Sequence, residues 1–150
     1  MKTFLSKFGL AFVILMLVFC GKASAENWRA FRSDDNRSHY FDLDSILPIS
    51  KTVVRVWVQV VYTPAGVAEE VRQFGLNYEN LKSQKALWEV NCSEKKMRMI
   101  SLFRYSQNGT VLYSHQDDTT VWQFHPPGTI AAILREKVCG VVDESQFKEF

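Results

Sequence analysis

The sequence contains few of the residues that build metal sites and flexible connections. It has three cysteines, three histidines, 7 glycines and 4 prolines among 150 residues. It contains no internal repeat and no linker rich in Gly, Pro or Ser, which argues against a repeat protein and against domains joined by a tether. With 47% hydrophobic and 23% charged residues, the composition is typical of one globular domain.

The body of the chain also lacks an excess of positive charge. The formal net charge is +2, but Lys2, Lys7 and Lys22 lie in the first 25 residues, where there is no acidic residue. Without these three lysines, 15 basic residues stand against 16 acidic ones. Nucleic acids and anionic membranes are bound by clustered Lys and Arg, so neither is an expected partner.

The first 25 residues have the pattern of a cleaved secretory signal. Lys2 and Lys7 precede an uncharged run over residues 8–20, and Ala23-Ser24-Ala25 is a small-residue cleavage site before Glu26. The run of about 13 residues is shorter than the roughly 20 that a membrane-spanning helix needs. We predict cleavage between Ala25 and Glu26 and a mature domain, residues 26–150, without a transmembrane anchor.

Cys20 lies where a bacterial lipoprotein carries its lipid. Such signals have a small residue directly before the cysteine, whereas Phe19 occupies that position here. We therefore expect Cys20 to be removed with the signal rather than lipidated. The mature protein is then periplasmic, secreted or held at the cell surface.

Cys92 and Cys139 are the two cysteines left in the predicted mature chain. Disulfides persist in the compartments outside the cytoplasm, so an intramolecular bridge is the simplest interpretation. Neither cysteine belongs to a Cys-x-x-Cys motif or has an evident base nearby in sequence, so a metal or catalytic role is not indicated.

Six segments have the composition of β-strands. The clearest is residues 53–62, in which Val54, Val56, Val58, Val60 and Tyr62 form one apolar face while Arg55 and Gln59 point the other way. The others are residues 39–43, 86–93, 97–105, 110–115 and 120–124. Residues 110–115 follow the turn dipeptide Asn108-Gly109. The alternation over 97–105 is less clean: it predicts one face made of Met97, Met99, Ser101, Phe103 and Tyr105 and another made of Arg98, Ile100, Leu102 and Arg104, with both faces partly covered.

Two segments have helical spacing of apolar residues. Residues 64–81 form either one helix or two short turns, and residues 130–138 form a helix that Thr129 caps and Gly140 ends. Cys139 lies beside the apolar stripe of this second helix, so we expect the helix to end or turn there. The order of elements predicts an α+β domain, a roughly six-stranded antiparallel meander sheet with a C-terminal helix packed on one face.

Several spaced motifs together resemble one family of bacterial exported proteins. They are Trp28 and the segments 40–46, 54–58, 87–92, 97–102, 122–130 and 138–139. The most specific part is the two-cysteine frame with Trp122 and Pro126-Pro127-Gly128 before the last helix. In these features the chain resembles the surface-adhesin protein E-like domain. The resemblance implies a sheet-to-helix disulfide and a non-enzymatic binding role at the cell envelope, which in the named member is adhesion to host matrix proteins.

Arginines and aromatic residues near the start of the mature chain form a candidate partner-binding group. Interfaces are enriched in both residue types. The group is Trp28, Arg29, Phe31, Arg32 and Arg37. The alternative is a solvated N-terminal arm whose Trp28 and Phe31 pack on the sheet. Binding through an exposed sheet face or an edge strand is the leading hypothesis, and an edge strand also allows a homodimer.

His115 and His125 support a second hypothesis, a periplasmic carrier of haem or a metal. The alternative is a solvated turn in which Asp117 and Asp118 satisfy backbone groups. Metal sites need three or four converging ligands, and no compact spacing provides them, so no cofactor is expected. Ser38-His39 and the Asp pair are the nearest approach to a catalytic set, without a Gly-x-Ser-x-Gly frame, and we predict that the protein is not an enzyme.

Overall fold

A computed structural model of the protein describes residues 26–117 and 119–142. The predicted signal peptide, including Cys20 and Ala25, lies outside the described residues. Asp118 also lies outside them.

The described chain forms one antiparallel sheet and two helices. The strands are β1 Trp28–Ser33, β2 Arg37–Asp42, β3 Leu47–Pro48, β4 Val53–Tyr62, β5 Leu81–Asn91, β6 Lys96–Ser106, β7 Val111–Gln116 and β8 Gln123–Phe124. The helices are α1 Pro64–Phe74 and α2 Ile130–Val141, with short 3-10 turns at Leu43–Ser45 and Leu76–Tyr78. The spatial order is β1-β2-β4-β5-β6-β7, while β3 pairs with β4 and β8 with β6. The predicted α+β meander is confirmed.

The central strand β4 divides the sheet into two different faces. Its residues 54, 56, 58, 60 and 62 are buried, and those between them are only partly buried. On the buried side, α2 packs Leu134 and Val138 into the core, and the α1 residue Val67 contacts a second cluster with Tyr62 and Leu81. We call this side the helix face and the opposite side the open face, because no described helix covers it.

Both helices begin as their sequences predict and end differently. Thr63 and Thr129 cap them through side-chain oxygens that accept hydrogen bonds from backbone N–H groups in the first turn. α1 ends at Phe74 because Gly75 has a φ of 100°, which glycine adopts without steric cost. The prediction of one helix over 64–81 is therefore wrong at its end, and the second helix continues through Gly140 to Val141.

A bulge in β6 changes which residues share a face. Trp88 pairs with Met99 and the next residue back, Leu87, pairs with Ser101, so Ile100 is an extra residue in β6. An extra residue shifts the alternation of side chains by one position. Met97 and Met99 lie on the helix face, whereas Ser101, Phe103 and Tyr105 lie on the open face. The predicted single face of β6 is wrong for this reason.

Several strand bounds differ from the predictions. β1 was not predicted, β5 begins five residues earlier than residue 86, and β8 is only two residues long. In β1, Trp28 pairs opposite Asp42 on the open face, while Phe31 contacts Phe41 on the helix face. Because its two large apolar residues point to opposite faces, β1 has no apolar alternation that a sequence pattern can detect.

The disulfide joins the end of β5 to α2. Cys92 and Cys139 are bonded, with their Cα atoms 5.8 Å apart. Both are partly buried against the core cluster that contains Val90 and Val138. The bridge forms from the flank of α2 while the helix continues, so the expectation that the helix ends at Cys139 is wrong.

We predict that the double variant Cys92→Ala/Cys139→Ala is less stable by about 2–5 kcal/mol, because the bridge shortens the unfolded chain across a long loop. Urea unfolding followed by circular dichroism measures this difference. A reductant should lower the midpoint of the wild-type protein and leave that of the double variant unchanged. Equal midpoints for both proteins under oxidising conditions would contradict the prediction.

Candidate functional site

An aromatic depression of about 230 Å³ lies on the open face. Its walls come from the residues before β1, from β1 itself and from β2, β4, β5 and β6. We call it the open-face patch, and its residues are Glu26, Trp28, Asp42, Trp57, Lys85, Phe103 and Tyr105. Cross-strand pairing brings these residues together, because Lys85 pairs with Phe103 and lies diagonally across from Trp57, whose direct partner on β5 is Leu87.

The aromatic rings of the patch contact one another across strands. The ring centroids of Trp57 and Phe103 are 6.4 Å apart, and those of Phe103 and Tyr105 are 6.5 Å apart. Such pairs add stability beyond the area that they bury. The rings are thus held in place while remaining only partly buried.

A lysine and a glutamate fix the edge of the patch. Lys85 Nζ lies 5.1 Å from the centre of the Trp28 ring and 2.8 Å from Glu26 Oε1. The Trp28 indole N–H donates to Glu26 Oε2 at 2.8 Å. These hydrogen bonds from Lys85 and Trp28 lower the pKa of Glu26. Trp28 is therefore fixed in position without being buried in the core.

A buried carboxylate stabilises the same face beyond the patch. Glu89 is 2% exposed, and its two oxygens bind Arg55 on β4 and Arg98 on β6 at 2.5 and 2.7 Å. Burial alone would raise the pKa of Glu89, but the hydrogen bonds from both arginines outweigh burial and lower it. The central carbon of the Arg98 guanidinium lies over the Trp122 ring, 4.8 Å from the ring centre. Three strands are thus joined by one charged cluster.

The structure separates the predicted partner-binding group. Trp28 belongs to the open-face patch, whereas Phe31 packs on the core cluster of the helix face. Arg29 and Arg32 are exposed on the edge strand β1. Arg37 points toward α1, where its Nη1 lies 3.4 Å from Glu70 Oε1. These five residues do not form one continuous surface.

The two candidate ligand histidines lie on different elements. His115 is exposed on β7, opposite Leu102 of β6. His125 follows β8 and lies edge-on to Trp88, with the ring centroids 6.4 Å apart. Among residues 26–117 and 119–142, no group of three or more His, Cys, Asp or Glu side chains converges to hold a metal ion.

The structure also separates Ser38 from His39. Ser38 pairs with Val61 on the open face and accepts a hydrogen bond from Ser33 Oγ at 3.1 Å. His39 points to the helix face and is 6% exposed. Asp117 accepts hydrogen bonds from the backbone N–H and hydroxyl of Thr119, as expected of a turn residue. His39 is therefore not placed to activate Ser38.

The family model of surface-adhesin protein E matches residues 28–140. The chain belongs to the surface-adhesin protein E family. The match runs from β1 into α2 and includes both bridged cysteines. No curated protein and no solved structure matches the chain. None of the described helices of this family member has the length and apolar character to cross a membrane.

Sequence patterns alone miss most of the open-face patch in this member of the surface-adhesin protein E family. Trp57 shares a strand with five core residues but lies on the face that the core does not use. A tryptophan at a non-core position of a strongly alternating strand was the available signal. Phe103 and Tyr105 had no usable signal, because their face depends on the bulge at Ile100.

The burial of His39 makes the stability of the folded protein depend on pH. Burial lowers the pKa of His39, the charges of Arg37 and Arg32 lower it further, and Asp34 opposes the shift. In the unfolded chain His39 takes up a proton near its ordinary pKa of about 6.5. The unfolded state therefore binds more protons than the folded state below that pH, and acid favours unfolding.

We predict that the free energy of unfolding falls as the pH decreases from about 7 to about 5, and that His39→Phe removes most of this loss. Urea unfolding at a series of pH values measures it. His115→Phe, which changes an exposed histidine, is the control and should keep the wild-type profile. The same pH slope in wild type and His39→Phe would contradict the assignment to His39.

Proposed function

We propose that this chain is an exported, non-enzymatic binding domain of the bacterial cell envelope, and that it recognises a protein partner through the open-face patch. Membership of the surface-adhesin protein E family supports a binding role. The signal pattern of residues 1–25 and the Cys92–Cys139 bridge are both consistent with export.

The observation that carries this proposal is the ordered set of aromatic rings on a sheet face that no described helix covers. Tryptophan and tyrosine dominate the binding energy of many protein interfaces. Trp28 and Trp57 are already fixed by Lys85 and by neighbouring rings, so little side-chain freedom is lost on binding. The charged pair of Lys85 and Glu26 at the margin adds directional contacts.

The separation of candidate catalytic groups supports a non-enzymatic role. Ser38 and His39 point to opposite faces of β2, and Asp117 is engaged by Thr119. A nucleophile needs a base within hydrogen-bond reach. These residues do not provide such an arrangement.

We predict that Trp57→Ala weakens binding to immobilised extracellular-matrix proteins by about 10-fold or more, the effect typical of a central interface aromatic. Surface plasmon resonance with the purified, disulfide-bonded protein measures the affinity. Phe74→Ala is the matched control, because Phe74 is 50% exposed on α1, on the opposite side of the sheet. It should bind as the wild type does.

A second variant tests the same surface without removing an aromatic side chain, so that lost binding can be told from lost stability. Gln59→Arg adds a long charged side chain beside the patch, between Tyr40 and Lys85, and leaves the aromatic contacts in place. It should also weaken binding. Wild-type affinity in both variants would overturn the open face as the binding surface, and binding by neither wild type nor variants would overturn adhesion to matrix proteins.

The edge strand β7 is the surface that we propose for self-association. Val111 and Tyr113 on this strand are 50% and 42% exposed. An edge strand offers unpaired backbone groups that a second copy can extend. Both edge strands carry an irregularity, between Ala30 and Arg32 in β1 and at Leu112 in β7, so the choice of β7 rests on its exposed Val111 and Tyr113.

Native mass spectrometry of the protein isolated gently from its cells tests export and self-association together. We expect a chain that begins at Glu26 and lacks two hydrogens because of the disulfide, and we expect a dimer. Replacement of Tyr113 by Lys should shift the dimer to monomer. A chain that retains residues 1–25 would contradict signal cleavage, and a monomer at high concentration would contradict the dimer.

A further inference from the structure

A second cleft, of about 220 Å³, lies on the helix face between α2 and the sheet. It is separated from the open-face patch by the thickness of the sheet. Its lining is mainly apolar and includes Ile130, Ala131 and Leu134 from α2 and Ala86 and Trp88 from β5. Two polar residues, His39 and Gln84, also line it.

His39 is the unusual member of this lining. It is 6% exposed, and its Nε2 is buried without a hydrogen-bond partner among the described residues. Buried polar atoms nearly always have a partner, because leaving one unpaired costs its full desolvation penalty. Burial also favours the neutral imidazole, in which one ring nitrogen donates and the other accepts. His39 lines the cleft, so an occupant that reaches this nitrogen supplies the missing hydrogen bond.

Gln84 is oriented by contacts at one end of its amide. Its Oε1 accepts from the Tyr62 hydroxyl at 3.4 Å and from Arg104 Nε at 3.3 Å. The amide nitrogen makes no hydrogen bond within the described part of the chain. The cleft is thus lined by the His39 imidazole and the Gln84 side chain in a mainly apolar setting.

We propose that this cleft binds a small apolar molecule with a single hydroxyl group, of the size and type of a simple phenol. The volume is below the roughly 300–1,000 Å³ of sites for drug-sized ligands, which limits the occupant to a small molecule. A hydroxyl both donates and accepts, so it matches either tautomer of His39. The apolar walls disfavour a charged ligand because its desolvation would not be compensated, and Trp88 provides an aromatic surface for a ring.

Two ligands of equal shape test the hydroxyl requirement in the unmodified protein. NMR titration with p-cresol should shift the methyl signals of Ala86, Ala131 and Leu134 and the indole signal of Trp88. p-Xylene, in which a methyl group replaces the hydroxyl, should bind about 10-fold more weakly, which corresponds to one lost hydrogen bond. Equal affinity for the two ligands, or no shift of these signals with p-cresol, would overturn the proposal.

Three variants assign the binding to this cleft. Ala131→Leu fills the cleft and should abolish binding of both ligands, while His39→Phe should remove the preference for p-cresol over p-xylene. His115→Phe, on the exposed strand β7, is the matched control and should keep that preference. Trp57→Ala should leave p-cresol binding unchanged, so the outcome is independent of the open-face proposal. Wild-type binding of p-cresol by Ala131→Leu would place the ligand elsewhere and contradict this assignment.

Discussion

The alternation of β4 is the constraint on which the rest of the structure depends. Five of its ten residues are buried under the helices, and the intervening Arg55, Trp57 and Gln59 point to the other side. A strand can present only two faces, so the core and the open-face patch are fixed by the same period of two. Moving β4 by one residue would bury Arg55 and expose the valines, which makes the register strongly specified.

Two buried glutamates hold the elements around this strand, each between two arginines. On the helix face, Glu70 of α1 lies 3.4 Å from Arg37 of β2 and 3.2 Å from Arg104 of β6. On the open face, Glu89 of β5 joins Arg55 and Arg98. In each cluster one carboxylate is paired with two guanidinium groups, which offsets part of the cost of burying its charge. Glu70 fixes a helix onto the sheet, and Glu89 fixes three strands together.

Local patterns predicted β4 to the residue, the start of α2 and the bridge of Cys92 to Cys139. β4 is recognised by its alternation of buried and outward residues, α2 by its capping Thr129, and the bridge by the small number of cysteines. The open-face patch depends instead on pairing between residues as distant as Trp28 and Lys85, and on one unpaired residue in β6. Register and bulges arise from contacts between strands, so the sequence of a single strand does not reveal them. The same holds for the cleft of His39 and Gln84, which also requires the position of α2.

Placing the two proposed recognition surfaces on opposite sides of one sheet has a physical consequence. Trp57 and Val58 are neighbours in β4, as are Lys85 and Ala86 in β5, so adjacent residues serve different surfaces. β4 pairs with β5 on one side and with β2 and β3 on the other, and β5 pairs with β4 and β6, which leaves little freedom for the backbone to move when either surface is occupied. Rigid elements hold a site more accurately than loops do. The sheet therefore preorganises both surfaces, and occupation of one leaves the geometry of the other largely unchanged.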